Sequence, residues 1–302
     1  IYVQNAMSSG LPVALVSMFR NKQFILKFVG DEAWERATQR HETSKTLEEF
    51  YKQPEGSFRI KLMMFIQGFV LRRATIVTTP SEYLMKEIIG AYSIDPKRTV
   101  VNYNAAEYTN ESTFDNTLNK KHQILTTARL VPWKGIDGII HAVGILKKKI
   151  PDVTLVIAGD GPELETLKKL AHDLTISENI SFLGNVSRTE TRDLRKKSEV
   201  YVLNSTYEGL PHTVLTSFDA MIPTVTTNTP GTNEAVYHEK TGLLVTPGNS
   251  QELADAIERI FNDKELARNL TVNAKKLLQE KFSWEAHLRI LNSLFASAEK
   301  KH

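Results

Sequence analysis

The chain has 302 residues, 41% of them hydrophobic, with 38 basic against 35 acidic residues and a net charge of +3. Such a length predicts about two domains with sizeable cores. So small a charge gives no argument for nucleic acid, while permitting acidic ligands or an anionic membrane surface. There is no cysteine, which excludes disulfides, thiolate catalysis and Cys-ligated zinc. The eight histidines are scattered, without HExxH or HxH spacing, so no metal site is expected.

In chain order, Ile1–Ala6 (IYVQNA) reads as a strand. It carries neither Met nor a signal peptide, so the natural N-terminus is expected to be missing. Val13–Ser17, Phe24–Val29 and Thr75–Thr78 read as a helix end or as strands. Residues 30–60 are polar and charged, a long inserted loop or helical excursion. The longest apolar run, Leu62–Leu71 (LMMFIQGFVL), is shorter than the roughly twenty residues a bilayer span needs. Lys61–Arg73 is an apolar helix with basic ends, either a core helix or one that touches a membrane surface. Pro80-Ser81-Glu82 starts a helix with Ser81 as N-cap. Asn110–Lys121 (NESTFDNTLNKK) is polar and aperiodic, which places a linker at 109–122.

Beyond the linker, strands alternate with helices. The strands predicted are Ile124–Ala128, Val153–Ala158, Ile180–Leu183, Val200–Leu203, Thr224–Thr227 and Leu243–Val245. Ile136–Lys149 has apolar residues at helical spacing, and Ser187 with Glu190 makes a capping box. Lys147-Lys148-Lys149 ends its helix where cations favour the helix dipole, a structural role. An amphipathic helix, Trp284–Lys300, closes the chain. Short β-branched strands with helical crossovers predict an α/β, doubly wound parallel sheet, whose ligands sit beyond the carboxyl ends of the strands.

Three segments carry chemistry. In Thr127–Gly135 (TARLVPWKG), Arg129 and Lys134 stand between a strand and a helix start. Two cations beside a helix N-terminus form an anion clamp suited to a pyrophosphate; the alternative is a solvated basic loop. Ala158–Pro162 (AGDGP) resembles the opening of a dinucleotide fingerprint, but Leu164 follows Glu163 where a third Gly is needed, so a plain strand-to-helix turn is the favoured reading. The third segment is Asn204–Glu234. Glu208 stands at a strand's carboxyl end, where a carboxylate can accept hydrogen bonds from a sugar diol. Gly209, Leu210 and Pro211 lead into a helix whose N-terminus faces the same crevice. Gly231, Thr232, Asn233 and Glu234 repeat the device after the next strand, with turn amides able to cradle a phosphate. The alternative is that both glutamates merely cap helices.

TARLVPWKG, AGDGPELETL, ISFLGNVS, YEGLPHTVL, AMIPTV, PGTNE and TGLLV resemble, in order and spacing, the motifs of glycosyltransferase family 4. The likeness covers residues 75–295. It implies the GT-B fold of two Rossmann-like domains, with a retaining, metal-independent transfer and no cofactor beyond the nucleotide-sugar donor. Residues 1–108 would form a partial, acceptor-side domain, 123–282 the donor-binding domain, and the helix in 283–302 would pack back on the first. Arg129 and Lys134 would hold the donor diphosphate and Glu208 the transferred sugar. Residues 231–234 would meet phosphate and sugar, and the backbone at Gly184–Val186 the base.

The chain departs from that pattern in two places. The family's second Glu, which clamps the ribose diol, falls at Thr216. Losing such a charged hydrogen bond costs about 1.5–3 kcal/mol, or roughly ten- to a hundredfold in affinity. The family's Gly-rich loop after the first strand has no counterpart. Its later histidine is replaced by Phe28–Trp34, where Asp31 or Glu32 is a candidate for orienting the acceptor or accepting its proton.

The function expected is transfer of a hexose from a UDP- or GDP-sugar to a glycan, lipid-linked or small-molecule acceptor, in polysaccharide biosynthesis. The location expected is the cytoplasm, with the inner face of the membrane and a peripheral contact there as an option, and no nucleic-acid partner is expected. A binding or partner subunit of the same fold, and a nucleotide-sugar epimerase or hydrolase, are the alternatives.

Overall fold

A computed structural model describes residues 1–107 and 122–299. The expected linker, His122 apart, lies outside the described residues. The chain divides into two compact units, Ile1–Asn104 with Glu285–His302, and Ala105–Trp284.

The first unit runs β1 (Tyr2–Val3), α1 (Leu11–Arg20), β2 (Ile25–Lys27), α2 (Glu32–Gln39), α3 (Leu47–Lys52), α4 (Phe58–Arg73), β3 (Ile76–Thr79), α5 (Glu82–Tyr92) and β4 (Thr99–Val101). Its four strands pair in parallel in chain order. The segment read as a strand at 1–6 pairs only at Tyr2 and Val3, then closes into a π-helical turn, Ala6–Gly10, capped by Asn5. Val13–Ser17 lies inside a helix, and the polar stretch 30–60 holds two helices and the start of a third. Ser81 caps α5 by accepting from the Leu84 amide at 3.2 Å.

Asp31 is the N-cap of α2 and is fully buried. Its carboxylate accepts from the Trp34 amide and the Tyr51 hydroxyl, each at 2.8 Å, and from the Tyr92 hydroxyl. Burial, with the Asp31 charge beside it, pushes the Tyr92 phenol far above its ordinary range, which keeps it a donor. This corrects the expectation of a catalytic Asp31. Both oxygens are committed to joining α2, α3 and α5, and none of the side chain is open to an acceptor. Glu32 accepts from the Asn5 side-chain amide at 2.6 Å.

The second unit alternates strand and helix and closes on two successive helices: β5 (Gln123–Thr127), α6 (Ile136–Leu146), β6 (Thr154–Ala158), α7 (Leu164–Asp173), β7 (Ile180–Gly184), α8 (Arg188–Lys197), β8 (Val200–Leu203), α9 (His212–Asp219), β9 (Thr224–Thr227), α10 (Pro230–Asn233), β10 (Leu243–Val245), α11 (Ser250–Asn262) and α12 (Lys264–Lys281). The final helix, α13 (Trp284–Glu299), belongs to the first unit from Glu285 on. The six strands are parallel in the order β10-β9-β8-β5-β6-β7. Strands β8 and β9 are buried at every residue, as a sheet covered on both faces requires. Ile139, Ile140 and Val143 of α6 share one core with Leu253, Ile257 and Ile260 of α11. The chain winds outward from β5 through β6 to β7, then returns to β8 on the other side of β5. The topological switch point therefore lies between β5 and β8, where the crevice of a doubly wound sheet opens. No helix among the described residues is long and apolar enough to cross a membrane.

Candidate functional site

Loops leaving the carboxyl ends of β5, β8 and β9 converge at this switch point. After β5 the chain makes a one-turn 3-10 helix, Pro132–Lys134, ended by Gly135 at φ +58. The Trp133 carbonyl accepts from the Thr206 amide at 2.8 Å, and the Gly135 carbonyl from the Asn204 side chain at 2.8 Å. The post-β5 and post-β8 loops are thus stitched together. Lys134 Nζ then meets Glu208 Oε1 at 2.6 Å, and the same oxygen accepts from Ser205 Oγ at 2.7 Å. Both charged side chains are largely covered, 19% and 11% exposed. The pair holds each charge in place at the sheet edge.

The loop after β9 presses against the same segment. A Cβ on Gly231 would lie 1.9 Å from the Glu208 carbonyl oxygen, so only glycine allows this approach. Gly231 and Thr232 are buried within α10, and Asn233 is exposed. The amides of Thr232 and Asn233 both donate to the Thr229 carbonyl at 3.0 Å. Those two amides close their own turn, which leaves the amide of Gly231 outside these bonds. Glu234 ends this short helix as its C-cap instead of opening one. Leu210 is buried and Pro211 is the N-cap residue of α9.

Arg129 lies on the other flank of β5. It lines a cavity of about 640 Å³ with Thr127, Gly159, Asp160, Gly161, Asn185, Val186 and Thr191. The turn read as a plain Gly-Asp-Gly connection forms part of this wall. A Cβ on Gly159, at φ +146, would lie 1.8 Å from the Ala128 carbonyl oxygen, and one on Gly161 2.3 Å from that of Leu130. These glycines let the exits of β5 and β6 run in contact, fixed by hydrogen bonds from Ala128 N to Ala158 O and from Leu130 N to Asp160 O. Gly184, at φ +65, ends β7 just before Asn185 and Val186.

Thr216 lies on α9, half-buried, with its hydroxyl donating to the Thr213 carbonyl at 2.9 Å. Its one proton is spent within the helix, leaving only lone pairs for a ligand.

The structure thus brings Lys134, Glu208 and Gly231 into one locus, and Arg129 and Val186 into the neighbouring cavity, while Asp31 belongs to the other unit. Sequence reasoning missed Ser205, Asp160 and Thr191, while Asn185 falls within the expected Gly184–Val186 segment. The signal for Thr191 was present, since it follows the Ser187 cap by one turn on the inward side of α8.

Two parallel-sheet units, one with Lys134 paired to Glu208 at its switch point and Arg129 in the neighbouring cavity, define a GT-B type α/β protein. Residues 109–277 match the model of the family glycosyl transferases group 1, and the chain belongs to that family. It is 29% identical over 175 residues to the GDP-mannose-dependent alpha-(1-6)-phosphatidylinositol monomannoside mannosyltransferase of Mycobacterium tuberculosis, a match covering 56% of this chain and 46% of that protein. It is 29% identical over 265 residues to the putative glycosyltransferase YtcC of Bacillus subtilis, covering 80% of this chain and 65% of that one. The chain spans about half the length of the first of these relatives. Among solved structures, Anabaena Alr3699/HepE in complex with UDP-glucose superposes with a TM-score of 0.80 at 20% identity, over 98% of this chain and 78% of that one.

Proposed function

We propose that the chain forms the donor-binding part, and a portion of the acceptor side, of a retaining hexosyltransferase. Its donor is a UDP- or GDP-sugar, and its acceptor a glycan, lipid-linked glycan or small molecule. The observation that carries this reading is the Lys134–Glu208 pair at the switch point, flanked by the Arg129 cavity. A diphosphate entering there draws Lys134 from Glu208, and the released carboxylate is then available to the hydroxyls of the sugar. Lys134 and Arg129 stabilise the charge that grows on the leaving diphosphate. Retention follows if the acceptor attacks from the face the diphosphate leaves, with the diphosphate oxygen taking the acceptor's proton. The two cations occupy the role a divalent ion would fill, so neither metal nor organic cofactor takes part. Val186 and the backbone from Gly184 serve the base, and Gly209, Leu210, Pro211 and the Gly231–Glu234 turn surround sugar and phosphate. The enzyme works in the cytoplasm in polysaccharide assembly, at the inner membrane face.

Support comes from relatives: the Anabaena structure holds UDP-glucose, and the Mycobacterium protein's name specifies GDP-mannose. Incubating the purified protein with UDP- and GDP-sugars, with and without glycan acceptors, tests the reading. Release of nucleoside diphosphate that depends on an acceptor is expected. Release from the donor alone assigns a hydrolase, conversion of the donor into an isomeric nucleotide sugar assigns an epimerase, and no binding or release with any donor contradicts the reading.

One observation favours a second reading, a binding subunit with weak turnover. Thr216 offers the ribose no carboxylate, and its hydroxyl proton is already engaged. Thr216→Glu is expected to tighten donor binding about ten- to a hundredfold by isothermal titration. An unchanged affinity means that the ribose is not held from this position.

A further inference from the structure

The crevice at the switch point opens where β5 and β8 separate. β5 pairs with β6 along its whole length, from Gln123↔Thr154 to Thr127↔Ala158. Its pairing with β8 starts at Ile124↔Val200 and ends at Leu125↔Tyr201. Thr127 lies two residues, or about 6.6 Å, beyond that last pair. The exit of β5, which carries Thr127 and then Arg129, is tied on one flank by the Ala128 and Leu130 amides to β6 and its turn. On the other flank the ladder has already ended.

The Tyr201 side chain spans that opening. It is fully buried. Its hydroxyl stands 3.2 Å from the Thr127 hydroxyl and donates to the Thr127 carbonyl at 3.4 Å. Burial pushes the phenol above its ordinary range, which keeps it protonated and able to donate. The side chains of Thr213, in the first turn of α9, and of Glu208 lie close enough to act on the same hydroxyl. Val200, Val202 and Leu203 make the rest of β8 apolar. A Phe at position 201 would fill nearly the same volume without bringing a polar atom into the core, so packing does not account for the hydroxyl. Its partners belong to both halves of the site: Thr127 lines the cavity with Arg129, and Glu208 pairs with Lys134.

We propose that Tyr201 is a positioning residue, whose hydroxyl braces the crevice between β5 and β8 and so holds Arg129 in place for the diphosphate. A fully buried hydroxyl does not meet the ligand, so it acts through Thr127. The role toward the diphosphate rests on the reading given under Proposed function, whereas the brace is a property of the unliganded protein.

Tyr201→Phe keeps the ring and removes one oxygen. Calorimetric titration with UDP and GDP, and with the matching monophosphates, tests the role. Diphosphate affinity should fall about five- to tenfold, with monophosphate affinity within about twofold of the wild type. A hydroxyl that serves stability alone would lower the melting temperature and leave the preference for diphosphate intact. In the Arg129→Ala background, Tyr201→Phe should cost less than about twofold, because the effect passes through Arg129. Amide hydrogen exchange without ligand reads the brace by itself. In Tyr201→Phe the Ala128 and Leu130 amides should gain in rate at least about fivefold more than the amides of α11 do. An unchanged diphosphate preference, a loss that adds in full to that of Arg129→Ala, or exchange at Ala128 and Leu130 that merely follows α11 overturns the proposal. A wild-type protein with no preference for diphosphate overturns the donor-site reading and with it the role toward Arg129, while faster exchange in the variant still upholds the brace.

Discussion

Lys134→Ala is expected to lower turnover by about 10²–10³ while changing the donor KM far less. Its ammonium meets Glu208 Oε1 at 2.6 Å in the resting site, beside the Ser205 hydroxyl. Positive charge fixed at that point is worth most when the diphosphate takes on charge in the transition state, which is why the loss falls on kcat. Folding stability is expected to fall by only about 1–2 kcal/mol. A fully buried pair broken on one side costs about 3–5 kcal/mol, and here both side chains retain some water and Glu208 retains Ser205. Lys134→Arg should recover little of the activity, since a planar fork does not occupy the space of a point charge. Steady-state kinetics with the donor the protein turns over, together with thermal melts, separate the two effects. A variant that melts normally and transfers at the wild-type rate would remove Lys134 from the mechanism.

Gly159→Ala is expected to be the most destructive single methyl in the second unit. The residue sits at φ +146, and the new Cβ would lie 1.8 Å from the Ala128 carbonyl oxygen, a backbone atom that cannot rotate away. Backbone strain of about 1–3 kcal/mol adds to overpacking of about 1–3 kcal/mol. For a unit of this size that corresponds to a melting temperature lower by roughly 10 °C. The cavity wall moves with it, because the exits of β5 and β6 are held together there, so nucleotide binding should weaken as well. Gly248→Ala is the control: φ is +79, but no atom lies within 4 Å of the added Cβ. A cost of about 1 kcal/mol is expected for it, from backbone conformation alone. Equal melting temperatures for the two variants would mean that the close approach at Ala128 is absent in solution.

Much of the second unit was legible because its signals agree. Val200–Leu203, Thr224–Thr227 and Leu243–Val245 are short, β-branched and bounded by turn residues, and they coincide with β8, β9 and β10. Ser187 with Glu190 forms the capping box its spacing implies. The first unit was harder to read. Val13–Ser17 is apolar up to Ser17, so periodicity could not tell a buried strand from a helix, and α1 keeps much of that apolar surface in water. A second capping box, Thr46 with Glu49, was present in the sequence and would have marked α3 inside the stretch taken as a loop or helical excursion.

In the site, Lys134, Glu208 and Gly231 were legible because each stands just beyond a strand's carboxyl end. Ser205, Asp160 and Thr191 were not, since their places in the site depend on β8, β5, β6 and β7 lying side by side in that order. Asp31 shows the limit most sharply. A carboxylate followed by Glu-Ala-Trp reads equally as a loop acid or a helix cap. Tyr51 and Tyr92, which settle it as a cap, lie 20 and 61 residues away in the chain.

The central claim is that Lys134 at the switch point and Arg129 in the neighbouring cavity bind a diphosphate. It is tested most directly by calorimetric titration of the protein with UDP, GDP and the corresponding monophosphates. One diphosphate is predicted to bind at least about tenfold more tightly than its monophosphate, with that advantage lost in Lys134→Ala and reduced in Arg129→Ala. Equal affinity for mono- and diphosphate, or an advantage that survives both substitutions, would contradict it.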